Sequence, residues 1–121
     1  NKETKEDIIS VFGRELGTSC WNSFKRKMIS EEAAVEANKL LTSDWPGIRS
    51  QLNQAMRPVK QIRSCLEAVK APTSPGEIGV PNEFYKNAIV NSRLIRDRFT
   101  CLDFASSCGI LEHVANETVR A

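Results

Sequence analysis

Four cysteines constrain this chain more than any other feature, because they form an even set in a short sequence with helical patterning. They are Cys20, Cys65, Cys101 and Cys108 in 121 residues. An even cysteine count in a small domain indicates two disulfides and an oxidising compartment. The chain begins at Asn1 rather than at a methionine, which favours removal of a signal peptide. The sequence therefore predicts a secreted protein.

Apolar residues recur at helical spacing along most of the chain, and no useful stretch alternates as a half-buried strand would. Helix starts are predicted at Thr4, Ser30 and Asp44, which are capping residues followed by acidic residues or a proline. Gly17 is expected to end the first helix. No internal repeat is evident. With 40% apolar residues, the chain is predicted to form a single helical domain over residues 1–121.

Two heptad patterns predict the longest helices. The first helix is expected over about residues 46–70, bent near Pro58. Its seam positions are seven residues apart: Leu52, Val59 and Leu66, and Ala55, Ile62 and Val69. The second helix is expected to begin near Asn82 and to continue past Leu102. Three prolines and two glycines make residues 71–81 the loop between them. The predicted fold is an all-α, disulfide-linked bundle of five or six helices with two long antiparallel helices.

This arrangement restricts how the cysteines can pair. Cys65 would lie near the loop and Cys101 at the far end of the helix pair, on the order of 20 Å away. A disulfide needs Cα atoms within about 7 Å, so these two cannot be joined. We favour Cys20–Cys65 with Cys101–Cys108. The pairing Cys20–Cys101 with Cys65–Cys108 stays open, although it requires residues 101–108 to be almost fully extended.

No group of residues predicts catalysis or a bound metal. His113 is the only histidine, and it is expected to be an exposed or half-buried residue of the last helix. Zinc binding by Cys101, Cys108 and His113 would lack C-x-x-C spacing and a suitable fourth ligand. The glycines form no phosphate-binding loop, and the acidic pair Glu31-Glu32 fits a helix start. We therefore predict no enzyme activity, no catalytic residue, no metal and no cofactor.

Positive charge is concentrated in one predicted helix. The net charge of +2 is too small to indicate nucleic-acid binding, and no apolar run reaches the roughly 18 residues of a membrane span. We expect neither a nucleic-acid partner nor membrane insertion. Residues 46–70 nevertheless hold five basic residues and one acidic residue, a net charge of +4. A basic helix of this kind favours an acidic partner or a polyanion. The predicted partner-binding residues are Arg49, Arg57, Lys60 and Arg63, and the last three are expected to be exposed because they fall off the apolar seam.

The whole chain resembles the salivary-gland-seven family of anopheline mosquitoes. The resemblance covers all 121 residues, from the segment Asn1–Asp7 to the tail, and rests on Cys20, Cys65, Cys101 and Cys108, the basic helix and the small size. It implies a secreted salivary inhibitor, not an enzyme, that binds host plasma proteins. In this family the targets are the alternative complement pathway convertase or the plasma contact system, and inhibition of the latter is anticoagulant.

Other classes of protein stay open. Insect odorant-binding proteins are also exported, helical and disulfide-linked, and they carry small hydrophobic ligands. This chain lacks their close C-x-x-x-C pair, but an enclosed cavity on the order of several hundred Å³ would support a carrier. Trp21 and Trp45 are expected in the core, and the pattern does not distinguish a filled core from one that encloses a ligand. A periplasmic immunity protein or a cytokine-like signal fits the composition equally well.

Overall fold

The computed structural model describes residues 3–120, and none of these residues lies in a β-strand. The α-helices are α1 (Lys5–Phe12), α2 (Arg14–Phe24), α3 (Glu31–Ser43), α4 (Trp45–Ala55), α5 (Val59–Ala68), α6 (Asn82–Ser92), α7 (Cys101–Ser107) and α8 (Leu111–Arg120). Short 3₁₀ helices occupy Lys25–Lys27, Pro75–Ile78 and Arg93–Ile95. The predicted all-α fold class is confirmed.

The chain divides into two compact units. The terminal unit runs to Met28 and resumes at Gly79, so it contains α1, α2, α6, α7 and α8. The central unit is Ile29–Ile78 and contains α3, α4 and α5. The two units differ in their interiors, because every buried residue among residues 3–119 lies in the terminal unit.

The core of the terminal unit is built from α1, α2 and the 3₁₀ turn that follows α6. Its buried members are Ile8, Cys20, Phe24 and Leu94. Phe24 is fully buried, and burial of such a side chain contributes about 1.5–3 kcal/mol. Trp21, which is expected in the core, is half-buried at its edge: its ring packs against the core and stacks on Phe24 with the ring centroids 6.3 Å apart.

Two glycines set the junction of α1 and α2. Helix α1 ends at Phe12, and Gly13 follows with φ +78°, a conformation that glycine adopts without strain. The prediction that Gly17 ends the first helix is therefore wrong. Gly17 is buried inside α2, where a Cβ atom would lie 2.6 Å from the Cα atom of Ile9. Only a residue without a side chain allows the two helix backbones to approach so closely.

The three predicted helix starts are confirmed by their hydrogen bonds. Thr4 and Asp7 form a capping box at the start of α1, in which the Asp7 carboxylate accepts from the backbone N–H of Thr4. Ser30 caps α3 with its hydroxyl oxygen. The backbone N–H of Gly47 donates to the Asp44 side chain over 3.1 Å at the start of α4. Local polar side chains therefore decide where these helices begin.

Neither of the two long helices is continuous, so that part of the predicted architecture is wrong. Pro58 divides the first into α4 and α5 instead of bending it, because proline has no N–H to donate and its ring disfavours the preceding turn. The second ends at Ser92. Thr100 then starts α7, and its backbone N–H donates to the Asp103 carboxylate over 2.8 Å.

Candidate binding surface

The four cysteines are free thiols, so the predicted disulfides are absent from this structure. Cys20 is buried, and the other three are exposed. Cys101 begins α7 and Cys108 is its C-cap. Seven residues of helix rise about 10 Å, which exceeds the roughly 7 Å that a disulfide spans. The intact helix α7 therefore holds Cys101 and Cys108 too far apart for the preferred Cys101–Cys108 disulfide.

A buried cluster of charges in the terminal unit was not predicted from the sequence. The side chains of Lys27 and Asp103 are almost fully buried, and the Lys27 Nζ atom lies 2.7 Å from the Asp103 Oδ1 atom. Lys27 also donates to the backbone carbonyl of Arg93. The buried Arg93 guanidinium pairs with Glu3 and lies 3.7 Å from Asp103. Two cations and two anions therefore neutralise one another, and both cations also lie near the face of the Phe24 ring.

The pKa of Asp103 is lowered by this cluster. Burial is the largest single influence and raises the pKa, since it disfavours the carboxylate. Hydrogen bonds from Lys27 and Thr100, with the charge of Lys27, outweigh burial and bring the pKa below its ordinary value of 3.8. Asp103 is thus an ionised, buried partner of Lys27. The Asp103 side chain is fully enclosed by its neighbours and no substrate can reach it. We therefore assign Asp103 a role in stability.

The predicted partner-binding residues lie on the central unit, and all of them are exposed. Arg49 is on α4, Arg57 is in the break before α5, and Lys60 and Arg63 are on α5. The expected exposure of Arg57, Lys60 and Arg63 is confirmed. Whether they bind a partner stays a prediction.

Most apolar residues of the same two helices are exposed as well, and Ile48 is half-buried, although their heptad spacing predicted a buried seam. Val59 is 75% exposed, Ile62 is 50% exposed and Leu66 is 37% exposed. Trp45 was expected in the core and is instead 42% exposed, so that prediction is wrong. The predicted seam required two continuous long helices, and neither of them is continuous.

Helices α4 and α5 contain a short repeat that the sequence reasoning missed. Residues 48–52 read Ile-Arg-Ser-Gln-Leu and residues 62–66 read Ile-Arg-Ser-Cys-Leu, fourteen positions apart. Each copy places an arginine beside an isoleucine and leucine that share one side of the helix. The repeat gives two helices the same amphipathic face. We call these two faces together the α4–α5 surface; it comprises Trp45, Ile48, Leu52, Val59, Ile62 and Leu66 with Arg49, Arg57, Lys60 and Arg63.

Other kinds of site find little support in the part of the chain that the structure describes. His113 is exposed on α8, as expected. Among residues 3–120 no group of His, Cys, Asp or Glu side chains is placed to hold a metal ion. In the same range, no helix has both the length and the apolar composition to cross a bilayer. The described pockets, on α3, beside α5 and at the α1–α2 junction, are surface depressions open to solvent.

Comparison with known proteins gives two partial matches. One is to a glycerol-1-phosphate dehydrogenase [NAD(P)+] from Methanospirillum hungatei, 39% identical over 56 residues that make up 46% of this chain. The other is to the dehydrogenase of the same name from Methanosphaerula palustris, 37% identical over 60 residues, or 49% of this chain. The chain spans only 16% of the length of either dehydrogenase. No family model and no solved structure matches the chain.

Proposed function

We propose that this chain is a secreted salivary inhibitor of the anopheline salivary-gland-seven type, which binds a host plasma protein without catalysis. Its target is the alternative complement pathway convertase or a factor of the contact system. The observation that carries the proposal is the α4–α5 surface, on which basic and large apolar side chains are exposed together. Protein interfaces combine an apolar centre with a polar rim in this way.

The two classes of side chain have different parts in this proposal. Arg57, Lys60 and Arg63 attract an acidic partner over distances of about 8 Å at physiological salt, and so raise the association rate. The apolar residues of α4 and α5 leave water on contact and slow dissociation. Against complement, the bound inhibitor holds the protease assembly inactive by steric occupation. Against contact activation, it competes for the anionic surfaces that plasma factors use.

Export and disulfide linkage belong to the same proposal. Oxidation to Cys101–Cys108 requires α7 to open, and oxidation of Cys20 with Cys65 requires the terminal core to open, because Cys20 is buried there. Mass spectrometry without reductant, on protein isolated from an oxidising compartment, measures the thiols directly. A mass lower than that of the fully reduced chain by the thiol hydrogens that two disulfides remove would support export. A full complement of free thiols in such a sample would contradict the disulfide part of the proposal.

A carrier of small hydrophobic ligands is the alternative class. The open shape of the described pockets does not favour it, because carriers enclose most of the ligand surface. Dehydrogenase activity is not proposed, since the matched segment is a small part of those enzymes.

The test is a charge reversal with a matched control. Arg57, Lys60 and Arg63 are changed together to glutamate, and the variant is assayed for complement lysis by the alternative pathway and for contact-pathway clotting. The control reverses three exposed basic residues of the terminal unit, namely Lys5, Arg14 and Lys25. Circular dichroism checks that both variants keep their helix content.

We expect the first variant to lose inhibition at least tenfold and the control to keep it. Full inhibition by the first variant would place the binding surface elsewhere. If the unmodified protein inhibits neither assay, the proposed salivary function is wrong.

A further inference from the structure

We propose that the α4–α5 surface also lies flat on anionic phospholipid membranes, with its apolar residues against the lipid and its basic residues at the headgroups. This is adsorption to one side of a bilayer and not a membrane span. It goes beyond the proposed function and does not depend on any plasma protein.

The first support is the geometry of the apolar stripe. In α4, Trp45, Ile48 and Leu52 are spaced by three and four residues, so they share one side of the helix. In α5, Val59, Ile62 and Leu66 repeat the same spacing. Interfacial helices have this organisation, with bulky apolar residues on one side and basic residues at its edge. Tryptophan is also a preferred residue at the level of the headgroups.

The second support is that the central unit does not cover its own stripe. None of its residues, Ile29–Ile78, is buried. Trp45, Leu52 and Val59 are each more than two-fifths exposed. A run of exposed apolar residues of this length is unusual for a monomer and indicates an interaction surface.

The third support is charge, which favours an anionic membrane over a second copy of this chain as the partner of the α4–α5 surface. Residues 46–70 carry five basic residues and one acidic residue. A second copy bound face to face would bring like charges together, and so would be disfavoured. An anionic membrane attracts each basic residue near its surface by about 1 kcal/mol. Arg49 and Arg63 follow the isoleucines of the repeat directly, so both arginines lie at the border between the stripe and solvent.

A flat, fluid surface also suits two separate helices better than a preformed protein groove does. Helices α4 and α5 are joined through Met56–Pro58 without regular structure. Lipid can contact both stripes without a fixed shape match between the helices, whereas a groove requires one. The observations therefore favour a membrane as the partner of the α4–α5 surface. The alternative, which the experiment also tests, is an acidic groove of another protein.

The experiment uses the full chain with vesicles of phosphatidylcholine alone or with 30% phosphatidylserine, roughly the range in which anionic lipid attracts basic segments. Sedimentation measures the bound fraction, and tryptophan emission reports the environment of Trp45. The Trp45→Phe variant separates that signal from the signal of Trp21, which is half-buried against the terminal core. We expect binding to the anionic vesicles with a blue shift of emission that Trp45→Phe removes, and at least tenfold weaker binding to the neutral vesicles.

Two variants test the stripe and its charged border. Leu52→Gln with Leu66→Gln should weaken binding to anionic vesicles at least tenfold, whereas Leu40→Gln, an exposed leucine of α3, should leave it unchanged. Arg49→Glu with Arg63→Glu should weaken binding by about 30-fold or more, since each charge is worth about 1 kcal/mol. Circular dichroism confirms that the variants stay helical.

The proposal is overturned if the unmodified protein binds neither kind of vesicle, or binds both equally. Binding to anionic vesicles that survives the leucine changes would show a purely electrostatic contact and would equally overturn it. Inhibition of complement or clotting without vesicle binding would retain the proposed function and assign the α4–α5 surface to a protein groove.

Discussion

The terminal and central units have the same secondary structure but differ in what stabilises them. The terminal unit buries Ile8 and Phe24 completely and closes over the paired charges of Lys27 and Asp103. The central unit has helices of similar length and well-formed caps, yet none of its residues is buried. The comparison shows that helical patterning predicts helices and does not predict whether those helices form a core.

The difference has a thermodynamic consequence. Capping and propensity stabilise a short helix by only about 1 kcal/mol per favourable feature, while most helix stability in proteins comes from packing of an apolar face. The terminal unit obtains this packing from its own residues. We expect the central unit to obtain it on binding, which makes an exposed apolar surface compatible with function.

The largest expected effect is the difference in stability between two truncated variants, one in the terminal core and one on the surface of the central unit. Phe24→Ala removes the centre of the terminal core and should lower the free energy of unfolding by about 3–5 kcal/mol. Val59→Ala removes a side chain that is 75% exposed and should change it by no more than about 0.5 kcal/mol. Urea unfolding followed by circular dichroism measures both.

Similar losses for the two variants would contradict the comparison, because they would show that Val59 is buried in solution. A small loss for Phe24→Ala would instead show that the terminal core is not the main source of stability.

A smaller effect is expected at the α1–α2 junction. Gly17→Ala places a methyl group 2.6 Å from the Cα atom of Ile9, so the helices must move apart. We expect a loss of about 1–3 kcal/mol, as for other insertions into packed interiors. Gly76→Ala in the central unit is the matched control, because a Cβ atom there meets nothing within 4 Å. Thermal unfolding of the two variants tests the difference, and equal melting temperatures would exclude the close approach.

The features that sequence reasoning found are those with a local cause. Thr4, Ser30 and Asp44 were identified as helix starts because a cap acts within three residues of itself. Gly13 and Gly17 carry the same local signal, and only the packing of α2 against α1 distinguishes a helix end from a packed interior position. The capping box of Thr100 and Asp103 is also local, but it was not recognised, because the heptad pattern continues past it.

The features that it missed depend on residues far apart in the chain. Lys27 and Asp103 are separated by 76 positions, and neither has a neighbour that indicates burial. The exposure of Arg57, Lys60 and Arg63 was predicted, because these residues fall off the apolar heptad seam. The exposure of the apolar seam was not predicted, since the same spacing is typical of a buried interface. The repeated Ile-Arg-Ser motif was present in the sequence and could have been found there.

The smallest expected effect is the acid sensitivity of the terminal unit. The folded pKa of Asp103 lies below its ordinary value of 3.8, so the unfolded chain takes up this proton at a higher pH than the folded chain does. Its contribution is therefore complete above about pH 5 and is lost as the pH falls through the ordinary pKa towards the folded one. Each unit of difference between the two pKa values corresponds to about 1.4 kcal/mol.

Asp103→Asn isolates this contribution, because asparagine keeps the shape and cannot titrate. The pKa values of Asp7, Glu32 and Glu77 are also lowered, chiefly by hydrogen bonds from Thr4, Ser30 and Ser74 respectively. These three carboxylates contribute to the loss of stability in acid both in the unmodified protein and in Asp103→Asn. Urea unfolding from pH 7 to pH 3 should show a shallower loss for Asp103→Asn, whereas Asp97→Asn, in an exposed ion pair with Arg26, should follow the unmodified protein. Parallel curves for all three would mean that the Lys27–Asp103 pair does not set the acid stability of the terminal unit, and that the exposed capping carboxylates account for it instead.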